Sequence, residues 1–174
     1  MSGTCLYTTL YHDFGHELLL GATDDCLCMC DWSPSVQESR TFKRIASRQA
    51  VTVYTDRTSP ILTETKRQLD SYFQGILHDF DLPFLLIGTE FQKKVWKELA
   101  LIPYGRTISY SELARRCGNP RSVRAVANAC RTNPIGIIIP CHRVIGADGA
   151  LTGYAGGLPM KKQLIEFEKS SDIS

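Results

Sequence analysis

The sequence predicts a mixed α/β fold of the α+β type: a small N-terminal antiparallel sheet with a helix, then a mostly helical C-terminal part carrying a helix-turn-helix and a reactive cysteine. Three observations predict it. Residues 4–32 alternate apolar and polar side chains with period two and are broken by turn residues. From Thr89 onward the apolar spacing becomes helical and two capping-box patterns occur, Thr89-Glu90-Phe91-Gln92 and Ser109-Tyr110-Ser111-Glu112. The apolar run Ile135-Gly136-Ile137-Ile138-Ile139 ends abruptly in Pro140-Cys141-His142-Arg143.

The first strand is expected over Cys5–Tyr11, with a turn at Asp13-Phe14-Gly15 and further strands at Glu17–Gly21 and Cys26–Trp32. On the third strand Cys26, Cys28 and Cys30 fall on one face, where thiols pack as small apolar groups. Zinc sites favour spacings such as C-x2-C, so no metal and no cofactor is expected. A structural zinc in the N-terminal part, held by these thiols with Cys5 or His16, is the alternative. Residues 33–60 are polar and irregular, with a short helix around Arg44–Arg48 and a strand at Val51–Tyr54. Thr63–Phe73 has helical spacing with Leu69, Tyr72 and Phe73 on one side. Asp79–Ile87 reads as an extended connector, which divides the chain into domains over 1–80 and 89–174 joined by 81–88.

In the second domain Phe91, Val95, Trp96, Leu99 and Leu101 form the apolar face of the helix that Thr89 opens, and Pro103-Tyr104-Gly105 stops it. A short helix runs from Ser109 to about Cys117, Gly118-Asn119-Pro120 turns the chain, and a second helix follows from Arg121 to about Thr132. Two short helices around a glycine-containing turn suit a helix-turn-helix, although helical hairpins also serve as plain structure. The second helix carries Arg121, Arg124 and Arg131 for phosphate, and Ala125, Ala127 and Ala129 keep it slim.

Charge is unevenly placed. Residues before 89 hold 7 Lys/Arg against 11 Asp/Glu, a charge of −4; the rest hold 13 against 7, or +6, summing to the net +2. A basic C-terminal half fits a polyanionic partner. No apolar run approaches the roughly 20 residues of a membrane span. No basic segment followed by an apolar stretch opens the chain, so secretion is not expected. The seven cysteines form no disulfide-like framework and are read as reduced thiols in an intracellular protein, cytoplasmic or nuclear according to cell type.

Cys141 stands where a buried strand is expected to stop, beside a histidine and an arginine, groups that lower a thiol pKa. Adjacent residues of an extended strand point to opposite faces, so the backbone must turn if Cys141 and His142 are to share a pocket. A Cys-His pair after an apolar run also suits a buried structural thiol, and the choice rests on the surroundings.

Those surroundings are specific. Arg124-Ala125-Val126-Ala127-Asn128-Ala129, Asn133-Pro134, Ile138-Ile139-Pro140-Cys141-His142-Arg143-Val144 and Gly153-Tyr154-Ala155-Gly156-Gly157 resemble, in order and spacing, the motifs of the O6-alkylguanine-DNA alkyltransferases. Phe91-Gln92, Val95-Trp96, Ile102-Pro103-Tyr104-Gly105 and Ser109-Tyr110 extend the resemblance over about residues 89–168. It implies a DNA-repair protein that flips O6-alkylguanine, and O4-alkylthymine, out of duplex DNA and moves the alkyl group irreversibly to its own Cys141, once per chain. It also implies a ribonuclease-H-like N-terminal domain, double-stranded DNA bearing the lesion as partner, and a monomer, with cooperative binding along DNA left open.

The catalytic residues it implies are Cys141 as nucleophile, His142 as base through a water, Glu168 to orient the imidazole, and Tyr110 as proton donor to the departing base. It places Arg124 in the gap left by the flipped base, with Arg121, Ala125, Ala127, Asn128 and Arg131 against the DNA. Asn133, Val144, Tyr154, Ala155 and Gly156 form the substrate pocket. Glu168 lies on a helix expected over Pro159–Glu168. Ala155 and Gly136 depart from members that carry serine and proline there, which bears on substrate range. A non-catalytic reader of alkylated bases, a helix-turn-helix regulator and a cysteine hydrolase are the competing classes. Only the alkyl-acceptor reading predicts a stable thioether adduct.

Overall fold

The computed structural model describes residues 4–13, 15–33, 35–48 and 51–171; Phe14 of the expected turn and the side chain of His16 lie outside the described residues. The chain forms two compact units, Met1–Ile87 with Pro134–Gly136, and Gly88–Asn133 with Ile137–Ser174.

The first unit is built on strands β1 (Thr4–Asp13), β2 (His16–Ala22), β3 (Leu27–Asp31) and β4 (Val51–Thr55), ordered β3-β2-β1-β4. The first three pair antiparallel, as their alternation predicts. β4 instead joins β1 in parallel, from Thr4↔Val51 to Thr8↔Thr55, so the sheet is mixed rather than purely antiparallel. Parallel pairing needs a crossover of a dozen or more residues, and helix α1 (Arg40–Ala46) lies on the stretch of chain between β3 and β4. That helix starts earlier than the expected Arg44. The Ser39 hydroxyl accepts from Phe42 N at 2.9 Å while donating to Asp31 at 2.6 Å, and this cap fixes its first turn.

Helix α2 (Pro60–Phe73) begins three residues before the expected Thr63, because Ser59 caps it and Pro60 occupies its first turn. Leu62, Leu69 and Tyr72 are fully buried; each such side chain stabilises by about 1.5–3 kcal/mol relative to exposure. The Gln68 amide donates to Asp81 O and accepts from Asp81 N, at 2.8 and 2.9 Å.

β3 is buried from Leu27 to Cys30, covering both of its faces. Cys28 and Cys30 pack inside, and the Cys28 thiol donates to Gly21 O at 3.3 Å; Cys26 precedes the strand and is half-buried. Two segments read as something else lie along β3. Leu27 pairs with Phe84, within the expected connector, through Leu27 N to Pro83 O and Leu85 N to Leu27 O, both 2.8 Å. Cys30 bridges Ile135, with Cys30 N donating to Pro134 O at 2.9 Å and Gly136 N to Cys30 O at 2.8 Å. The expected buried strand over Ile135–Ile139 therefore reduces to one bridge. The chain then turns through Ile137, whose φ of 68° is left-handed and rare for a β-branched residue.

The second unit contains α3 (Glu90–Ala100), α4 (Tyr110–Arg116), α5 (Val123–Arg131), α6 (Leu158–Ser171) and a two-residue parallel pair, β5 (Ile108–Ser109) with β6 (Val144–Ile145). Thr89 and Gln92 make both halves of their capping box. Val95, Trp96 and Leu99 are buried, but Phe91 and Leu101 of the expected apolar face are exposed, Leu101 because it caps the C-terminus and turns outward. The Trp96 indole donates to Ala129 O at 2.9 Å, tying α3 to α5.

The second capping box is only half formed. Ser109 caps Glu112 N at 3.1 Å, but the Glu112 carboxylate is taken by Arg115 and Arg116. Gly118, at φ 78°, turns the chain toward α5. The second helix starts at Val123 rather than Arg121, because Arg121 N donates to Asn119 Oδ1 at 3.1 Å and stays in the turn.

Candidate active site

The turn after Pro140 sets the site. Cys141–Arg143 is one turn of 3-10 helix, with Arg143 N donating to Pro140 O at 3.0 Å and Val144 N to Cys141 O. Three residues per turn send successive side chains in three directions, where an extended strand would offer two faces. Cys141, His142 and Arg143 are all buried as a result. Upstream, Asn133 follows α5; its N–H donates to Cys130 O at 3.2 Å and its side-chain amide to Ile139 O at 2.7 Å.

Glu168 on α6 receives His142 and Arg143. His142 Nε2 lies 2.7 Å from Glu168 Oε1. Arg143 is bidentate on the same carboxylate, Nη2 to Oε1 at 3.0 Å and Nε to Oε2 at 2.9 Å, and its Nη1 donates to Ile102 O at 2.5 Å. Gly105 N also donates to Oε2, at 3.2 Å. Burial would raise the Glu168 carboxyl, but the hydrogen bonds from His142 and Arg143 and the Arg143 charge outweigh it and hold the group below the usual carboxylate range. Glu168 is therefore ionised and accepts only, so His142 Nε2 carries the proton and donates. His142 Nδ1 has no hydrogen-bond partner among the described residues.

Burial pushes the His142 imidazole downward, further than Glu168 pulls it up, which makes it a neutral base. Burial likewise pushes the Cys141 thiol upward, offset in part by a hydrogen bond from Asn133 and by the Lys161 charge. The expected depressed thiol pKa is thus not what the site provides. The thiol next in sequence to His142 is buried and favours its protonated form.

Tyr110 opens α4 and its hydroxyl donates to Thr152 O at 3.1 Å. Burial raises its pKa, so it stays protonated at neutral pH. Lys161, fully buried on α6, donates to Thr152 O at 2.7 Å and to Tyr110 Oη at 3.3 Å. Val144 is buried in β6, and its N–H occupies one lone pair of Cys141 O. Tyr154 is half-buried with its ring edge-on to His142, centroids 6.3 Å apart. Ala155 is exposed and Gly156 half-buried, in the turn before α6. On α5, Arg124, Ala125, Asn128 and Arg131 are exposed, Ala127 is half-buried, and Arg121 is exposed in the preceding turn. The α5 positions among these lie on the side of the helix away from the buried Val126, Ala129 and Cys130.

His142 and Glu168 are thus brought together next to Cys141 in the chain, Tyr110 is joined to the Thr152 carbonyl, and the α5 positions form a separate surface. Two buried groups, Arg143 and Lys161, were not named as site residues from sequence. Arg143 stands in the motif itself, next to His142. Lys161 sits on a helix among other polar residues, and nothing in its spacing marks it.

A buried thiol beside a neutral imidazole, in one unit with a basic helix-turn-helix surface, defines a thiol-dependent protein built to meet a polyanion. Residues 90–170 match the family described as 6-O-methylguanine DNA methyltransferase, DNA binding domain. The methylated-DNA–protein-cysteine methyltransferase of Methanosarcina barkeri is 56% identical over 108 residues, covering 62% of this chain and 68% of that protein. That of Mycobacterium tuberculosis is 56% identical over 103 residues, covering 59% and 62%. The crystal structure of the M. tuberculosis O6-methylguanine methyltransferase superposes with a TM-score of 0.81 at 38% identity, covering 95% of this chain and 94% of that one. M. tuberculosis OGT in complex with DNA gives 0.81 at 40%, covering 96% and 94%. The chain belongs to the methylated-DNA–protein-cysteine methyltransferase family.

Proposed function

We propose that Cys141 is the alkyl acceptor of this DNA-repair protein, that His142 is its base, and that the substrate is double-stranded DNA bearing O6-alkylguanine, with O4-alkylthymine as a secondary lesion. The observation that carries the reading is the commitment of His142: Nε2–H is held by Glu168 at 2.7 Å, and Nδ1 is left as an acceptor with no protein partner among the described residues. A neutral imidazole so oriented takes the Cys141 proton through one water. The sulfur lone pair forms the S–C bond, the C–O6 bond breaks, and its electrons pass into the guanine ring. Tyr110, protonated at neutral pH, swings from Thr152 O to supply a proton at ring N3, so the base leaves neutral.

The lesion has to leave the stack to reach a buried thiol, at a cost of a few kcal/mol. Arg124 fills the gap, and Arg121, Ala125, Ala127, Asn128 and Arg131 face the duplex in its minor groove, whose degenerate pattern suits a search over all sequences. Val144 and Cys141 carbonyls accept from the exocyclic amine. Ala155 N–H donates toward O6, Tyr154 and Gly156 wall the pocket, and Asn133 holds the turn between α5 and Cys141. The domain over 89–174 carries both DNA binding and alkyl transfer. No cofactor takes part, and the protein acts as an intracellular monomer. The thioether is stable, so each chain acts once.

Incubation with a duplex carrying one radiolabelled O6-methylguanine tests this. One methyl per wild-type chain is expected and none on Cys141→Ser, with DNA affinity retained. Methyl uptake by Cys141→Ser, or multiple turnovers, contradicts it.

A further inference from the structure

Arg143 and His142 are adjacent in sequence and meet on one oxygen. Glu168 Oε1 accepts from His142 Nε2 at 2.7 Å and from Arg143 Nη2 at 3.0 Å, while Arg143 Nε takes Oε2 at 2.9 Å. The guanidinium is also pinned by Ile102 O and lies over the Tyr104 ring, 5.6 Å from its centre. It is thus a fixed positive charge on the carboxylate that orients the base. An isolated buried carboxylate next to an imidazole draws a proton onto it, and an imidazolium is useless as a base.

We propose that Arg143 is a positioning residue of the transfer reaction: by neutralising Glu168 it lets that carboxylate orient His142 without protonating it. The proposal rests on the reading of His142 as base. It separates two effects of one carboxylate. An ionised acceptor holds Nε2–H firmly but also favours a proton on Nδ1; burial opposes that proton first, and the Arg143 charge opposes it as well. Arg143 does so without loosening the hold because its fork binds both oxygens without displacing the imidazole. The other groups facing His142 do not substitute for it. Lys161 on α6 adds a positive charge that also disfavours the imidazolium, but its ammonium is spent on Thr152 O and Tyr110. Tyr154 presents only its ring edge, and Cys141 is a neutral thiol before reaction.

The test is the pH profile of single-turnover methyl transfer from an O6-methylguanine duplex at saturating protein, where binding drops out. The rate of the wild type should fall only on the acid side of His142 titration. Arg143→Met should move that acid limb upward by about one pH unit or more, since Glu168 is left uncompensated beside the imidazole. At any pH on the acid limb, Arg143→Met should keep a smaller fraction of its own plateau rate than the wild type keeps of its plateau. Arg143→Lys keeps the charge and should leave the limb within about 0.3 unit of wild type, even with a lower plateau from lost geometry. An unmoved limb in Arg143→Met, or a limb raised by a full unit in Arg143→Lys, overturns the proposal. Where Arg143→Met does not fold, Arg143→Gln, which also removes the charge, takes its place under the same criteria, together with the 15N shifts of His142 in the wild type. Those should show the neutral Nε2–H tautomer at pH 7; an imidazolium there overturns the proposal as well. His142→Ala distinguishes the underlying reading: a wild-type acid limb that survives His142→Ala removes His142 as base, whatever Arg143 does.

Discussion

The two units bury polar groups in different ways. In the first, the buried polar residues are neutral: Thr8, Ser33, Ser39, Thr41, Ser59, Thr65 and Gln68. In the second, His142, Arg143, Lys161 and Glu168 are buried together, and they are the buried ionisable polar residues among those described. The cysteines repeat the contrast. Burial pushes Cys28 up to about 12 and Cys30 higher still, with no cation to offset it, so both are inert. Cys141 is also buried but has the Asn133 amide and the Lys161 charge to offset the push. Sequestered charge is costly, and an apolar replacement is often as stable or more so. Cys130 shares the second unit and the Lys161 charge, so the clustered charge, rather than burial of a thiol alone, is what sets the surroundings of Cys141 apart from those of Cys28 and Cys30.

The sharpest way to break that contrast is to remove the base. His142→Ala should lower methyl transfer by about a hundredfold or more, the usual range for a positioned base. Cys30→Ala should leave transfer unchanged. Stopped-time assays on one duplex substrate compare them, and a loss of similar size in both variants ends the distinction.

Stability should follow the same line. Glu168→Gln strands Arg143 as a buried uncompensated charge and should cost about 3–5 kcal/mol. Gln68→Ala in the first unit breaks neutral hydrogen bonds to Asp81 and should cost about 1–3 kcal/mol. Urea denaturation measures both, and equal costs would mean that the charged cluster is energetically ordinary.

Acid sensitivity sharpens it further. Both His142 and Glu168 have folded-state values below their ordinary ones of 6.5 and 4.5, so both contribute stability that is present at neutral pH and lost on acidification. The loss begins below about 6.5 as unfolded-state histidine takes up protons, and the Glu168 part disappears between about 4.5 and about 2. Glu168→Gln should flatten the lower part of a stability–pH curve; an unchanged curve contradicts the assignment. Smallest is the effect of Arg124→Ala on binding. The salt slope of duplex affinity should change by no more than about one unit. Transfer from duplex should slow more than binding weakens, while reaction with free O6-alkylguanine base stays nearly constant.

Local signals explain what was legible in the sequence. Period-two alternation located β1, β2 and β3, and the Thr89–Gln92 box located α3, because backbone geometry dictates those patterns. The parallel partner of β4 and the pairing of Phe84 and Ile135 with β3 were not legible, since they depend on long-range closure that leaves no periodic trace. The apolar run Ile135–Ile139 looked like a strand because burial alone makes it apolar; Ile137 at positive φ shows a turn in a buried place. The order of Cys141, His142 and Glu168 could be read from motif resemblance. Lys161 could not, since it bonds Thr152 O and Tyr110 from a helix whose sequence looks solvated, and the upward push on the Cys141 thiol needed the burial itself to be seen.

The most direct measurement maps the methyl group. After reaction with a duplex bearing one O6-methylguanine, the intact protein and its peptides are weighed. The account predicts a single increment of about 14 Da, one CH2, carried by the peptide containing Cys141 and stable to thiols and mild base, as a thioether is. The other six cysteines should be unmodified. A methyl on any of those six, or an adduct that hydrolyses, would contradict it.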